Sequence, residues 1–173
     1  METQKHRAPL APFALSAAIL LVDQISKAMV AAHVAPGTVA FKAFGDFLWI
    51  VRQANPGMAF SLLDKLPEGP RVAILIALPL ILVAAVIAFY FKSAEPNTLQ
   101  RWALCGIVGG GLGNVIDRIF RHDGVIDFIS VKFFHGFFEG DRWPTFNAAD
   151  SSVVVSALIL VVSTIVLDSR RKQ

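Results

Sequence analysis

Residues 124–131, GVIDFISV, place one carboxylate in an otherwise apolar stretch. Apolar residues flank Asp127 on both sides, in a pattern typical of a short buried strand. A buried, unpaired carboxylate costs considerable free energy or takes up a proton. Asp127 has no helix end to cap and no oppositely charged neighbour in the sequence, so we expect its partner to come from elsewhere in the fold.

Asp150, in the segment FNAAD at 146–150, is the candidate partner. Two carboxylates held close together cannot both ionise easily, so such a pair shares a proton. The ionised member can activate water as a general base, and the protonated member can donate to a carbonyl, as in aspartic proteases. Taken singly, Asp150 before SSVVV instead predicts a helix N-cap, a role that Asn147 could share.

The elements that must position these side chains are membrane-spanning helices. Hydrophobic residues make up 55% of the 173 residues and charged residues 17%, and the mean hydropathy is +0.60. A helix that crosses the bilayer core needs about 20 apolar residues. Four runs meet this length, near 10–33, 70–91, 99–120 and 148–167. We therefore predict an α-helical membrane protein with one integral-membrane domain, 1–173, and four transmembrane helices.

The first run and the orientation each leave an alternative. Lys5 and Arg7 before an apolar stretch are also typical of a cleaved signal peptide, although the apolar character continues to Val34, beyond what such a peptide needs. Basic residues at both ends of the chain favour cytoplasmic termini. Because residues 34–69 and 121–147 also contain basic residues, the sequence leaves open on which side of the membrane the chain ends lie.

Polar residues within or next to the predicted helices fall on one side of the membrane. Runs one and three cross in the same direction and run four starts where run three ends, so their polar residues converge. These residues are Asp23, Lys27, Asn114, Asp117, Arg118, Asn147 and Asp150. Ionisable groups at membrane depth usually face a protein interior or a wet cavity, which indicates a functional site. Structural ion pairs within the first and third helices are the alternative interpretation.

Other chemistries have weak support in the sequence. His6, His33, His122 and His135 lack metal-ligand spacing, no HExxH or CxxC motif occurs, and no serine lies in a GxSxG context, so we predict no metal and no cofactor. GGGLGN at 109–114 lacks the spacing and the preceding strand of a phosphate loop; its small residues favour close helix packing instead. The basic residues are scattered or terminal, which does not favour nucleic-acid binding.

The connections between the helices carry weaker signals. Residues 38–52 alternate enough to predict strands broken at Gly45, and 123–131 adds another. Residues 133–146 are rich in aromatic side chains, which indicates either contact with the membrane interface or a loop that packs its own rings. The charges in 121–142 are interpreted as solvated loop charges, namely Arg121, Asp123, Asp141 and Arg142.

Five ordered segments together resemble the bacterial lipoprotein signal peptidases, the signal peptidase II family. They are DQISK at 23–27, NPGMAFS at 55–61, GGGLGNVIDR at 109–118, GVIDFI at 124–129 and FNAAD at 146–150. Any one of them is a weak signal. All five in order, across four predicted helices, make a highly specific match that covers nearly the whole chain.

The resemblance implies an aspartic endopeptidase of the bacterial inner membrane that removes signal peptides from prolipoproteins, before a diacylglyceryl-modified cysteine. It implies four helices, cytoplasmic termini, a site near the outer leaflet, and an outer-face β-cradle with a small surface helix in part of 57–69. Asp127 and Asp150 match the catalytic pair. Positions that match substrate-binding or site-supporting residues are Asn55, Gly57, Asn114, Asp117, Arg118, Asn147 and Ala148. Asp23 and Lys27 match a polar block that we interpret as mainly structural.

The resemblance also implies contact with membrane lipids and inhibition by the cyclic peptide globomycin. Two hypotheses from other classes compete with it. A proton-coupled transporter would use the same carboxylates as a relay, but it usually shows an internal repeat, and we find none. A non-enzymatic assembly factor would use the polar cluster to hold a partner helix.

Overall fold

The computed structural model describes residues 8–57, 66–93, 95–133, 136 and 141–171. They form four long helices: α1 Phe13–His33, α2 Glu68–Lys92, α3 Thr98–Phe120 and α4 Ala148–Arg171. Each helix is long and apolar enough to cross a membrane. The predicted four helices are confirmed, and their ends lie within a few residues of the expected bounds. Most of the predicted surface helix in 57–69 lies outside the described residues.

Helix α3 is the centre of the bundle and packs against the other three helices. Small residues make this possible, because Gly106, Gly109 and Gly110 bring its backbone close to neighbours on α1 and α4. More than half of α3 is buried, whereas α2 buries little more than a stripe of Leu75, Val83 and Tyr90. The remaining apolar surface of α2 is therefore available to lipid.

A three-stranded antiparallel sheet joins the helices: β1 Val39–Ala43, β2 Leu48–Asn55 and β3 Val125–Val131, in the order β1-β2-β3. The predicted break at Gly45 is a hairpin turn, where Phe44 and Gly45 both have positive φ. Since β2 pairs with β3 over Gln53↔Asp127 and Asn55↔Val125, the end of β2 lies beside Asp127.

The sheet packs at the end of the bundle where α1 and α3 finish and α4 begins. Val30 of α1 and Val34, directly after its end, form an apolar cluster with Ile126 and Phe128 of β3, and Ala148 packs against it. Ile126 and Phe128 lie directly before and after Asp127 in β3, so the same strand carries a packed apolar face and the carboxylate. The strand thereby fixes Asp127 against the first turn of α4.

Candidate active site

Asp127 is almost completely buried, with 1% of its surface exposed. Its two oxygens accept hydrogen bonds from two amide side chains: Asn55 Nδ2 donates to Oδ2 at 3.0 Å, and Asn147 Nδ2 donates to Oδ1 at 2.7 Å. The Asn55 amide is itself oriented, because its Oδ1 accepts from the backbone N–H of Gly57 at 2.9 Å. Gly57 has a φ of +106°, a backbone angle that residues with a side chain rarely adopt.

Asp150 lies in the first turn of α4, in a capping box with Asn147. The Asp150 N–H donates to Asn147 Oδ1 at 2.9 Å, and the Asn147 N–H donates to Asp150 Oδ2 at 3.2 Å. The prediction of Asp150 as the N-cap is therefore wrong: Asn147 is the N-cap and Asp150 stands three residues later. Asn147 contacts both aspartates, since its side chain also donates to Asp127.

Asn114 of α3 links the same groups from the opposite side. Its Nδ2 donates to Asp150 Oδ1 at 2.7 Å, and its Oδ1 accepts from Asn147 Nδ2 at 3.1 Å. Both oxygens of Asp150 thus accept hydrogen bonds, one from a side chain of α3 and one from the N-cap of its own helix. The two predicted carboxylates belong to one network, connected through two asparagines.

A buried ion cluster lies next to this network. Lys27 Nζ is 2.8 Å from Asp23 Oδ2 and 3.0 Å from Asp117 Oδ2, and all three side chains are fully buried. Arg121 Nε lies 3.0 Å from Asp117 Oδ1. The ion pair predicted within the first helix is present, but Asp117 pairs with Lys27 and Arg121, and not with its neighbour Arg118.

Arg118 faces the aspartates. Its guanidinium interacts electrostatically with Asp150, Asp127 and Asp117, and Nη1 donates to the Asn114 carbonyl at 3.2 Å. Its Nε is buried and has no hydrogen-bond partner among the residues that the structure describes. A buried donor without a partner costs free energy, so this N–H is available to a ligand group.

Burial raises the pKa of Asp127 to about 6, and the nearby charge of Asp150 acts in the same direction. The hydrogen bonds from Asn55 and Asn147 and the positive charge of Lys27 oppose this rise. Asp127 therefore exchanges its proton near neutral pH, where an acid or base of this kind is chemically useful.

A cavity of about 1010 Å³ opens beside Asp127. Asn55 and Asp127 line it together with parts of β1 and β2 and with the segment 142–145. The volume falls at the upper end of the range usual for ligand sites. The cavity is therefore large enough for a peptide segment, and Asp127 lines it, whereas Asp150 is not among its lining residues.

Arg142, interpreted above as a solvated loop charge, instead builds a wall of this cavity. Its side chain is only 13% exposed. It donates to Ser130 Oγ at 2.8 Å and to the Asp46 carbonyl at 3.0 Å, and its guanidinium lies 3.7 Å from the centre of the Trp49 ring. Nothing in the local sequence reveals these contacts, because their partners lie far away in the chain.

Within the described part of the chain, no group of three or more His, Cys, Asp and Glu side chains is arranged to hold a metal ion.

The aromatic segment 133–146 contains one contact between its own rings, since Phe133 and Trp143 form an edge-to-face pair with their ring centres 5.2 Å apart.

The model of the family described as signal peptidase (SPase) II matches residues 15–166. The chain belongs to the signal peptidase II family. The lipoprotein signal peptidase of Treponema denticola is 44% identical over 162 residues, which is 94% of this chain and 92% of that protein. The lipoprotein signal peptidase of Treponema pallidum is 41% identical over 154 residues, or 89% of this chain and 82% of that protein.

The fold is similar to solved structures as well. A bacterial membrane enzyme determined by the in meso method at 1.9 Å resolution superposes with a TM-score of 0.77 at 25% identity, covering 94% of this chain and 97% of that one. The chain is thus a peptidase of a membrane-enzyme family, and these relatives lend no support to the transporter hypothesis.

Proposed function

We propose that this chain removes signal peptides from diacylglyceryl-modified prolipoproteins, cutting before the lipidated cysteine, with Asp127 and Asp150 as an aspartic catalytic pair. The observation that carries the proposal is the shared contact of Asn147 with both carboxylates, one of which, Asp127, lines a cavity of about 1010 Å³. The family supports the class of substrate, and the contacts of Asn147 support the choice of the two aspartates as the reacting groups.

The charges around the pair favour a single shared proton. Among the described residues, the ion cluster, Arg118 and the two proposed catalytic residues together form one charged cluster. Its carboxylates are those of Asp23, Asp117, Asp127 and Asp150, and its cations are Lys27, Arg118 and Arg121. With one carboxylate protonated, the cluster is electrically neutral. Buried charges are tolerated when they are balanced and hydrogen-bonded, so neutrality favours one proton on the catalytic pair.

We assign the proton to Asp127 and the negative charge to Asp150. Asp127 is the more deeply buried of the two, and Asp150 lies in the first turn of α4, where the helix dipole favours an anion. Ionised Asp150 then takes a proton from water as the oxygen attacks the peptide carbonyl. Protonated Asp127 donates its proton to the carbonyl oxygen.

The tetrahedral intermediate collapses by breaking the C–N bond. Its hydroxyl proton returns to Asp127, the proton held by Asp150 passes to the leaving amine of the cysteine, and the signal peptide leaves with a new carboxyl group. No side chain forms a covalent bond and no cofactor takes part. In this mechanism, the buried Nε–H of Arg118, which has no partner in the described part of the chain, orients the substrate carbonyl or a polar group beside it.

The membrane setting follows from the four apolar helices and the position of the polar network at one end of the bundle. We place the protein in the bacterial inner membrane with both termini in the cytoplasm and the site near the outer leaflet, where water is available. Lysines and arginines at both chain ends support this orientation. The lipid chains of the substrate would stay against the helices, and globomycin-type cyclic peptides would compete for the site.

The direct test is cleavage of a lipidated precursor and of the same precursor without the lipid, by the purified protein in nanodiscs. We expect the lipidated precursor alone to be cut, immediately before the cysteine, as read by mass spectrometry. Equal cleavage of both precursors would contradict the substrate proposal, and cleavage at other bonds would contradict the assigned position.

The pKa of Asp127 gives a second prediction, for the pH dependence of kcat/KM. Since Asp127 must be protonated, kcat/KM should fall as pH rises through about 6. Asn55→Ala removes a hydrogen bond that lowers this pKa, so the alkaline limb should move to higher pH. Gln53→Ala, on the same strand, should leave the limb in place. A limb that moves to lower pH in Asn55→Ala would contradict the assignment.

A further inference from the structure

We propose that Lys27 is a positioning residue that sets the distance and orientation of the two catalytic carboxylates relative to each other. This inference rests on the proposed function, because it assumes that Asp127 and Asp150 react as a pair. It goes beyond the mainly structural role that the sequence suggested for Lys27.

The ammonium group of Lys27 uses its full donor capacity. It has three N–H donors, and three acceptors surround it: Asp23 Oδ2 at 2.8 Å, Asp117 Oδ2 at 3.0 Å and Asn114 Oδ1 at 2.9 Å. The side chain is fully buried, so water does not compete for these contacts. The position of Nζ is therefore fixed by groups on α1 and α3.

Two of these contacts lead to the backbone beside each catalytic residue. Asp23 Oδ1 accepts from the N–H of Ala149 at 3.0 Å, one residue before Asp150. Asp117 Oδ2 accepts from the N–H of Ile126 at 3.3 Å, one residue before Asp127. The ammonium group of Lys27 thus holds Asp23, which anchors the start of α4, and Asp117, which anchors the start of β3.

The third contact fixes the orientation of an amide. Because Asn114 Oδ1 accepts from both Lys27 and Asn147, its Nδ2 must point away from them, toward Asp150 Oδ1. Without the ammonium group, the amide could rotate and present an oxygen to the carboxylate of Asp150, which would repel it. Lys27 thereby determines that the amide nitrogen of Asn114, and not its oxygen, faces the carboxylate of Asp150.

Stability alone gives a weak reason for this arrangement. Replacing a buried ion pair with uncharged groups of similar volume is often neutral or stabilising, because burial of the charges costs about as much as their attraction supplies. Removing the lysine alone would leave Asp23 without a counter-charge, so that variant does not separate folding from positioning. A charge-balanced variant does.

The test is the double variant Lys27→Met/Asp23→Asn. The amide oxygen of the introduced asparagine can still accept from the Ala149 N–H, and Asp117 keeps its pair with Arg121 at 3.0 Å. We expect a melting temperature close to that of the wild type, a KM within about threefold, and a kcat lower by about 100-fold, the loss typical of a misplacement near 1 Å. The control is Lys92→Met/Glu95→Gln, which removes one exposed cation and one exposed anion at and just after the end of α2, away from the cavity, and should leave kcat unchanged.

Wild type and Asp127→Asn are assayed in parallel with the lipidated precursor. If the wild type does not cleave or Asp127→Asn does, the proposed function fails. If both behave as expected and the double variant keeps kcat within about threefold of wild type, the positioning role of Lys27 fails while the function stands. A double variant that does not fold also overturns the inference, because it would show that Lys27 is needed for the fold itself.

Discussion

Asp127→Asn and Asp150→Asn are each expected to lower cleavage of a lipidated precursor by about 10²- to 10⁴-fold, the usual contribution of a general acid or base. Asparagine has nearly the same shape as aspartate but can neither take a proton from water nor return one. Each carboxylate accepts a hydrogen bond at both oxygens, whereas the asparagine keeps one acceptor oxygen and places an amide N–H against the other donor. We therefore expect each variant to fold with a somewhat lower melting temperature.

The control for this prediction is Glu95→Gln, which changes an exposed carboxylate just after the end of α2, away from the cavity. It should cleave at the wild-type rate and melt at the wild-type temperature, whereas the two site variants should stay folded with a somewhat lower melting temperature. Near wild-type cleavage by either Asp127→Asn or Asp150→Asn would show that the assigned pair is wrong. An unfolded variant would be recognised by its melting curve before any rate is interpreted.

The second large effect is expected from Gly110→Ala. A Cβ at Gly110 would lie 2.5 Å from the Ala149 carbonyl oxygen and 2.8 Å from Val153 Cγ2. Helices α3 and α4 must therefore move apart, which should cost about 1–3 kcal/mol of unfolding free energy. Ala149 directly precedes Asp150, so the same shift displaces the proposed base and should lower kcat by about 100-fold.

Gly69→Ala is the matched control, because Gly69 lies in helix α2 and a Cβ there would meet nothing within 4 Å. It should be neutral or slightly stabilising, since alanine favours the helix. Thermal unfolding in detergent and cleavage rates measure both effects. If Gly110→Ala unfolds and cleaves like Gly69→Ala, close contact between α3 and α4 does not position Asp150.

The parts of this protein that the sequence predicts well are those with a local physical cause. The helices follow from apolar runs as long as a bilayer is thick. The convergence of Asp23, Lys27, Asn114 and Asp117 follows from alternating helix direction and from helical spacing, which requires no knowledge of packing. Asp127 is conspicuous for the same reason, because a carboxylate within an apolar strand needs a partner.

The parts that the sequence does not predict are contacts between distant segments. Asn147, and not Asp150, caps α4, because the choice between them depends on where β3 and Asn114 lie. Asp117 pairs with Lys27 although Arg118 is its neighbour, since adjacent helix positions point in different directions. Arg142 is fixed by Ser130, by the Asp46 backbone and by Trp49, residues far from it in the chain.

The central claim is that Asp127 and Asp150 act as one unit that shares one proton. Its most direct test is the single-turnover cleavage rate of Asp127→Asn/Asp150→Asn with the lipidated precursor, compared with each single variant. Groups that act together lose their effect together, so the double variant should be no slower than the slower single variant. Losses that multiply in the double variant would contradict the claim, because they would show two residues that act independently.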